Sequence, residues 1–529
     1  MKLVTPQLFI IKSMITLLKK YGLFVSLLAM FLGCKKDLQS INNSKNQDHS
    51  DLVKFEKYRP QFHFTPEANW MNDPNGLVYY KDNYHLFYQY YPDSTVWGPM
   101  HWGHAKSKDL LHWVHRPVAL YPDSLGYIFS GSAVIDKNNT SGFGKEAMVA
   151  MFTYHDPIKE KEGSILFQTQ GIAYSTDEGE TWTKYEQNPV IENPGIRDFR
   201  DPKMFWNEEK AIWQMVLVAK DHVQFYESPD LKDWKKISEF RFEDNPPLGV
   251  WECPDLFKLK VEGTQEEKWV LIISHGTGAP NAGSGTRYFV GDYDGTTFTT
   301  NQKESQWVDY GTDNYAGVTF NNEPNNKRIF IGWMSNWDYA ITTPTASWRS
   351  AMTLPRELSL IKESDRYYLK SPFIEGLNSL AKSISKTEIT GNIPYQFSYE
   401  HLQSSVISFD AEIQEKLLIT FSNNKKESFK ISYNINDGFV KLDRTKSGQV
   451  DFNEKYKTSS KQKMAIGNKK KLSFKLVLDA SSIEIFINGG QYVMTNQIFP
   501  NENFSNFEIF PKENVTISNF KIQYINRSI

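Results

Sequence analysis

Only two cysteines, Cys34 and Cys253, occur in this chain of 529 residues. Two thiols cannot build the disulfide framework that holds many small exported proteins, so stability must come from core burial. Net charge is equally scarce: 60 Lys and Arg stand against 62 Asp and Glu, a balance of -2. That excludes the basic field that gathers nucleic acid. The N-terminal apolar run, residues 21–32, is 12 residues long, too short against the ~20 that a membrane-spanning helix needs. A long helical period is missing from residues 58–361. Aromatic residues are abundant instead, with 14 Trp, 27 Tyr and 35 Phe. They suit strand packing, and their faces also stack on sugar rings.

Lys19-Lys20, the apolar run 21–32 and the pair Gly33-Cys34 have the form of an export signal. A small residue before cysteine at this point resembles the cleavage site of bacterial lipoproteins, which implies lipidation of Cys34. The expected arrangement is a signal peptide over 1–33, then a flexible tether over 34–57 rich in Asn, Ser, Lys and Gln. On this basis the chain is exported and touches a membrane only through a lipid.

From 58 to 361, short strand patterns alternate with clusters of Gly, Pro, Asn and Asp. A weak internal repeat organises them. Ser107-Lys108-Asp109 precedes Trp113, Ser175-Thr176-Asp177 precedes Trp182, Ser228-Pro229-Asp230 precedes Trp234, and Asp292-Tyr293-Asp294 precedes Phe298. The aspartates Asp109, Asp177, Asp230 and Asp294 are 68, 53 and 64 residues apart. Each copy reads as a hairpin turn capped by Asp with an aromatic packed beneath it. Units of that size hold four strands, so the region predicts an all-β, five-bladed β-propeller in which loops distant in sequence meet on one axis. A charged stretch at 362–388 is the expected linker, with a short helix possible over 373–383. Strand alternation returns over 389–529, which predicts a C-terminal β-sandwich. No acid constellation is evident there.

Three motifs carry carboxylates next to proline: Trp70-Met71-Asn72-Asp73-Pro74-Asn75-Gly76, Arg200-Asp201-Pro202, and Trp251-Glu252-Cys253-Pro254-Asp255. Proline fixes φ and removes a donor, and Asn-Gly favours positive φ. The expectation is that Asp73 stands on a sharply bent loop outside any sheet. Taken alone it is an ordinary Asx turn; with Asp201 and Glu252 in other repeat units, the three acids can share the propeller axis.

These motifs, in this order and spacing, resemble glycoside hydrolase family 32, and the resemblance extends over nearly all of the chain beyond the tether. It implies a propeller followed by a sandwich and hydrolysis of β-fructosidic bonds with retention, with no metal or organic cofactor. It also implies Asp73 as nucleophile, Glu252 as general acid/base, and Asp201 as the residue that binds fructosyl hydroxyls. Glu252, between Trp251 and Cys253 and near a second acid, is the better candidate for a raised pKa, and Asp73 the better candidate to stay charged. The same resemblance carries Asn72, Gln89, Trp97, Phe129, Ser130, Arg200, Asp313, Tyr315 and Trp337 to the sugar pocket. Asn314 stands where the family usually has an aromatic. The run 251–257 looks most like levanases and exo-inulinases, so release of terminal fructose from levan or inulin is expected. A sucrose-preferring invertase, a fructosyltransferase and a non-catalytic fructan-binding lipoprotein remain as alternatives.

Other signals carry less. His101, His104, His112 and His115 form two His-x-x-His pairs, but in strands residues three apart face opposite ways, which argues against a shared zinc. Asp177-Glu178-Gly179-Glu180-Thr181-Trp182 lacks the ligand pattern of a calcium loop. It resembles the Asp-box turn of sialidases, whose catalytic tyrosine and arginine motifs are not evident.

Overall fold

The computed structural model describes residues 56–243, 248–389, 395–512 and 515–525. Cys34 and the expected signal and tether, up to residue 55, lie outside the described residues. The chain divides into two compact units, 1–59 and 60–529. In the first, Arg59 pairs with Glu56 at 2.7 Å; the second holds all the sheets.

Five sheets follow one another from Asn69 to Lys370, antiparallel except where Trp348–Arg349 pairs in parallel with the start of the first. Their first strands are Asn69–Tyr80, Tyr127–Asp136, Phe199–Asn207, Trp251–Lys260 and Tyr315–Thr319. Each first strand packs against those of both neighbouring blades, and the fifth meets the first, closing a ring about one axis. Asn321, just after the fifth of them, stitches the ring: its Nδ2 donates to Ala133 O at 2.8 Å and Met204 O at 3.1 Å, and its backbone N donates to Leu77 O at 2.9 Å. Separate apolar clusters fill the seams between successive blades, such as Val134, Met151, Phe199 and Met215 between the second and third. This is the five-bladed propeller expected from the repeat.

The repeat residues are the turns between the third and fourth strands of four blades. Asp109 accepts from His112 N at 2.8 Å, Asp177 from Thr181 N at 2.9 Å, Asp230 from Asp233 N at 2.8 Å, and Asp294 from Thr297 N at 2.7 Å. Trp113, Trp182 and Trp234 each donate Nε1 back to a carbonyl inside the turn. The fifth blade closes instead through the tight turn at Ser364, with φ 55°. The missing fifth copy of the motif is thus a different hairpin, not a missing blade.

Two expectations are corrected. The stretch 362–388 is not a linker. Arg356–Glu363 and Arg366–Lys370 are the outer strands of the fifth blade, a 3-10 turn spans Glu375–Leu380, and Ala381–Ile389 is already a strand of the sandwich. Its charges mark an outer hairpin exposed to water. Nor does the 70–76 motif lie outside a sheet. It runs through the first strand, which tolerates Pro74 and Gly76 because its pairing with Asn83–Tyr91 slips between Met71 and Pro74 and again between Asn75 and Val78.

Two six-stranded antiparallel sheets form the sandwich. Its contact with the propeller holds a buried ionic network that the sequence did not announce. His63 bonds Asp479 at 2.7 Å and Glu484 at 2.8 Å, while Arg356 reaches Glu484 at 2.6 Å and Asp309 at 3.0 Å. Burial opposes the His63 cation, but the two carboxylates outweigh it and hold its pKa up at about 9. Because the folded value exceeds the unfolded 6.5, this contribution is complete below pH 6.5 and is lost as pH rises through 9. The wild type therefore loses up to about 3 kcal/mol of unfolding free energy across that window. Urea unfolding of His63→Gln should show a flatter pH dependence there; an unchanged slope would contradict the assignment.

Candidate active site

All five first strands carry a pairing irregularity at the same level, near their starts. It falls between Met71 and Pro74, Ile128 and Gly131, Arg200 and Lys203, Glu252 and Asp255, and Tyr315 and Val318. Three non-glycine residues inside these bulges take positive φ: Asp201 at 67°, Cys253 at 45° and Ala316 at 53°. A bulge bends its strand and re-aims side chains, at a cost accepted mainly at functional positions. Here four of the five bulges, those of the first four blades, line one cavity of about 420 Å³.

Asn72, Asp73, Gln89, Trp97, Phe129, Ser130, Arg200, Asp201, Glu252 and Trp337 all line it. Tyr315 reaches the same place by donating its hydroxyl to Glu252 Oε2. Gln89 is fixed by donating to Ile128 O at 3.0 Å, and Trp337 stacks on Trp70 with centroids 6.0 Å apart. Asp313 is placed elsewhere. It is fully buried against the sandwich, accepting from Arg444 Nη1 at 3.0 Å, Gln497 N at 3.0 Å and Tyr339 OH at 2.7 Å. Held by Arg444 and Gln497 of the sandwich and fully buried, it does not line the cavity.

The three carboxyl groups differ in their partners. Asp73 accepts from Asn72 Nδ2 at 2.9 Å and Ser130 Oγ at 2.7 Å, and Trp70 Nε1 orients the Asn72 amide by donating to its Oδ1 at 2.8 Å. Asp201 accepts from Cys253 N at 2.9 Å, with Arg200 Nε 4.0 Å away. The Cys253 thiol lies between them, 3.5 Å from Asp73 Oδ2 and 3.7 Å from Asp201 Oδ2. Glu252 accepts from Arg200 Nη2 at 2.9 Å and keeps 21% of its side chain open to the cavity.

Burial raises all three. For Asp73 the Asn72 and Ser130 donors oppose the rise, whereas Asp201 is carried to about 6 despite Arg200 and the Cys253 amide. Glu252 reaches about 7: desolvation dominates, Arg200 pulls down, and the charges of Asp201 and Asp73 push up. The donors on Asp73 come chiefly from side chains. Burial also pushes the Cys253 thiol well up, so its one S–H proton is kept and can be donated to either aspartate, one at a time.

A carboxyl pushed up in pKa beside a second one held by neutral donors is the kind of pair that glycoside hydrolysis uses. The pattern of the glycosyl hydrolases family 32 N-terminal domain matches residues 63–372, and that of the family 32 C-terminal domain matches 378–524. The chain belongs to glycoside hydrolase family 32. It is 44% identical over 479 residues to the levanase of Bacillus subtilis, covering 86% of this chain and 68% of that one. It is 39% identical to an extracellular exo-inulinase of Aspergillus niger, covering 84% and 90%. Among solved structures, exo-inulinase from Aspergillus awamori superposes with a TM-score of 0.82 at 34% identity, over 90% of this chain and 99% of that one.

The cavity of this family 32 chain also has walls the sequence did not flag: His155, Glu160, Phe167, Gln168, Asp198 and Gly276. One signal was visible, since Arg197-Asp198 repeats Arg200-Asp201 three residues earlier. His155 precedes a five-residue helix, Pro157–Lys161, and Glu160 lies within it; nothing in their local pattern points to the axis.

Proposed function

We propose that this chain hydrolyses β-fructosidic bonds in fructans and in sucrose, with retention at the anomeric carbon. The observation that carries the proposal is the asymmetry among Asp73, Asp201 and Glu252 on one cavity, with Glu252 held at about 7. Asp73 attacks the anomeric carbon as Glu252 protonates the departing oxygen, so the glycosidic bond breaks while a fructosyl ester on Asp73 forms. Glu252, now ionised, takes a proton from water, and the resulting hydroxide displaces Asp73 to release fructose. Asp201 accepts from fructosyl hydroxyls, and Arg200 holds Glu252 in place. Asn72 and Ser130 keep Asp73 oriented, and Gln89, Trp97, Phe129, Tyr315 and Trp337 shape the walls.

Beneath Asp201 and Cys253 the axis leaves a void of only about 10 Å³. A chain cannot thread through, which favours entry of a terminal residue and release of single fructose units. The relatives named levanase and exo-inulinase agree with this choice.

We infer further that the protein is exported and lipidated at Cys34. Cys34→Ser should move it from the membrane fraction to the soluble fraction; equal partition of the two forms would exclude the anchor.

On levan and inulin, early products should be fructose alone, and mixed oligomers would refute terminal attack. Glu252→Ala should lower turnover by about 10²–10⁴, and wild-type rates should fall as pH rises through 7, where the acid loses its proton. Equal rates in wild type and variant would refute the enzymatic assignment and leave a binding protein.

A further inference from the structure

We propose that the outer face of one sandwich sheet is a docking groove for a strand of acidic polysaccharide, a ligand that the protein holds and does not cleave. The proposal stands on observations outside the catalytic cavity and goes beyond the fructosidase assignment.

The near-neutral balance of the whole chain conceals a segregation of charge. Residues 60–380 carry 30 Lys and Arg against 43 Asp and Glu, whereas residues 381–529 carry 20 against 15. A polyanion is thus repelled by the propeller, with its cavity of acids, and drawn to the sandwich. Within the sandwich the positive charge gathers on four neighbouring strands, Lys416–Ser422, Ser428–Asn434, Phe439–Lys446 and Lys461–Ala465. There Lys416, Lys430, Lys441, Lys461 and Lys463 line a groove of about 490 Å³, with a single carboxylate, Asp443, among its described walls. Strand register sets the pattern: Lys441 stands directly opposite Lys463, and Asp443 stands between Lys430 and Lys461. Like charges directly opposite each other destabilise a sheet. Asp437 pairs with Lys441, but among the described residues no carboxylate pairs with the other four lysines. Asp443 is committed to its own strand, accepting from Thr445 N at 2.9 Å and Thr445 Oγ1 at 2.6 Å. The face therefore keeps unneutralised charge that a bound anion relieves.

Shape and chemistry select the ligand. Neighbouring strands lie about 4.8 Å apart, close to the length of one pyranose unit, so carboxylates on successive sugars can each meet an ammonium. A membrane surface is a poorer match, because binding at a headgroup layer draws on inserted apolar side chains. Every exposed large apolar side chain among the described residues lies in the propeller, from Val96 to Ile341. Single-stranded nucleic acid needs open aromatic faces for its bases, and Phe439, beside the groove, is covered by Lys463 Nζ at 5.4 Å from the ring centroid. The sheet edge is closed as well: Asn281 of the propeller donates Nδ2 to Lys463 O at 3.0 Å and accepts from Lys463 N at 2.9 Å. Recognition is left to the lysine side chains.

The test is the fluorescence anisotropy of labelled polygalacturonate titrated with the full chain at several salt concentrations, all forms carrying Cys34→Ser so that no lipid contributes. The triple variant Lys430→Gln, Lys441→Gln, Lys463→Gln should bind at least tenfold more weakly and flatten the slope of log K against log salt by about 2, the counterion release of three charges on a single strand. Removing equal charge from exposed lysines of the propeller, with Lys108→Gln, Lys235→Gln and Lys303→Gln, should leave binding as in the parent. No binding by the parent, equal weakening by both triples, or an oligodeoxythymidylate of equal charge bound as tightly would overturn the groove. Capture by phosphatidylglycerol vesicles in preference to polygalacturonate would overturn it too. Fructose release from levan should be the same in all three forms. Its absence from the parent would refute the fructosidase assignment alone.

Discussion

Three carboxyl groups converge near one guanidinium, and that shortage of positive charge governs the site. Asp73 and Asp201 are buried, and Glu252 has only its cavity edge open. Were all three ionised, like charges in a poorly solvated cavity would repel strongly, so protons are retained. Arg200 is shared between Asp198, Asp201 and Glu252 and cannot neutralise them all. Compensation is therefore distributed unequally. Asp73 receives neutral donors from Asn72 and Ser130, Asp201 receives the Cys253 amide, and Glu252, with Asp201 and Asp73 as like-charged neighbours, is pushed up to about 7. The division of labour between attacking base and protonating acid follows from that inequality.

The propeller supplies the convergence. Each first strand enters the ring, buckles near its start, and continues toward the far end of the axis. The buckle delivers a polar side chain to the cavity, while the rest of the strand builds the seams between blades. Strain at Asp201, Cys253 and Ala316 is sustained by the closed ring below, where Lys203 bonds Asp255 at 3.1 Å and Asn321 ties several blades together. The sandwich adds its own restraint through Arg356, Asp309, His63 and Glu484. Isolated buried ion pairs contribute little net stability, but removing one partner leaves a bare charge, so the network penalises separation of the domains.

Much of this was legible in the sequence because it was written in local signals. The capped Asp turns pointed to the blades, and the three proline-adjacent motifs pointed to the family. What was not legible depends on partners far along the chain. Asp313 sits in a motif that looks like a pocket motif, yet its fate is decided by Arg444, 131 residues away. The 70–76 stretch looks like a loop because propensity counts Pro74 and Gly76 against a strand; slippage in the pairing register removes that objection. His155 and Glu160 have ordinary neighbours; hairpin pairing sets His155 opposite Gln168, and closure of the second blade against the third brings that pair to Arg200.

The central claim is that Asp73 becomes covalently bonded to fructose while Glu252 manages the proton. The most direct measurement is peptide mass spectrometry of Glu252→Gln protein, acid-quenched during turnover of a fructoside with a good leaving group. The account predicts one fructosyl unit on the peptide containing Asp73, accumulating because the base needed for its hydrolysis is gone. An adduct on Asp201, or none despite continued turnover, would contradict it.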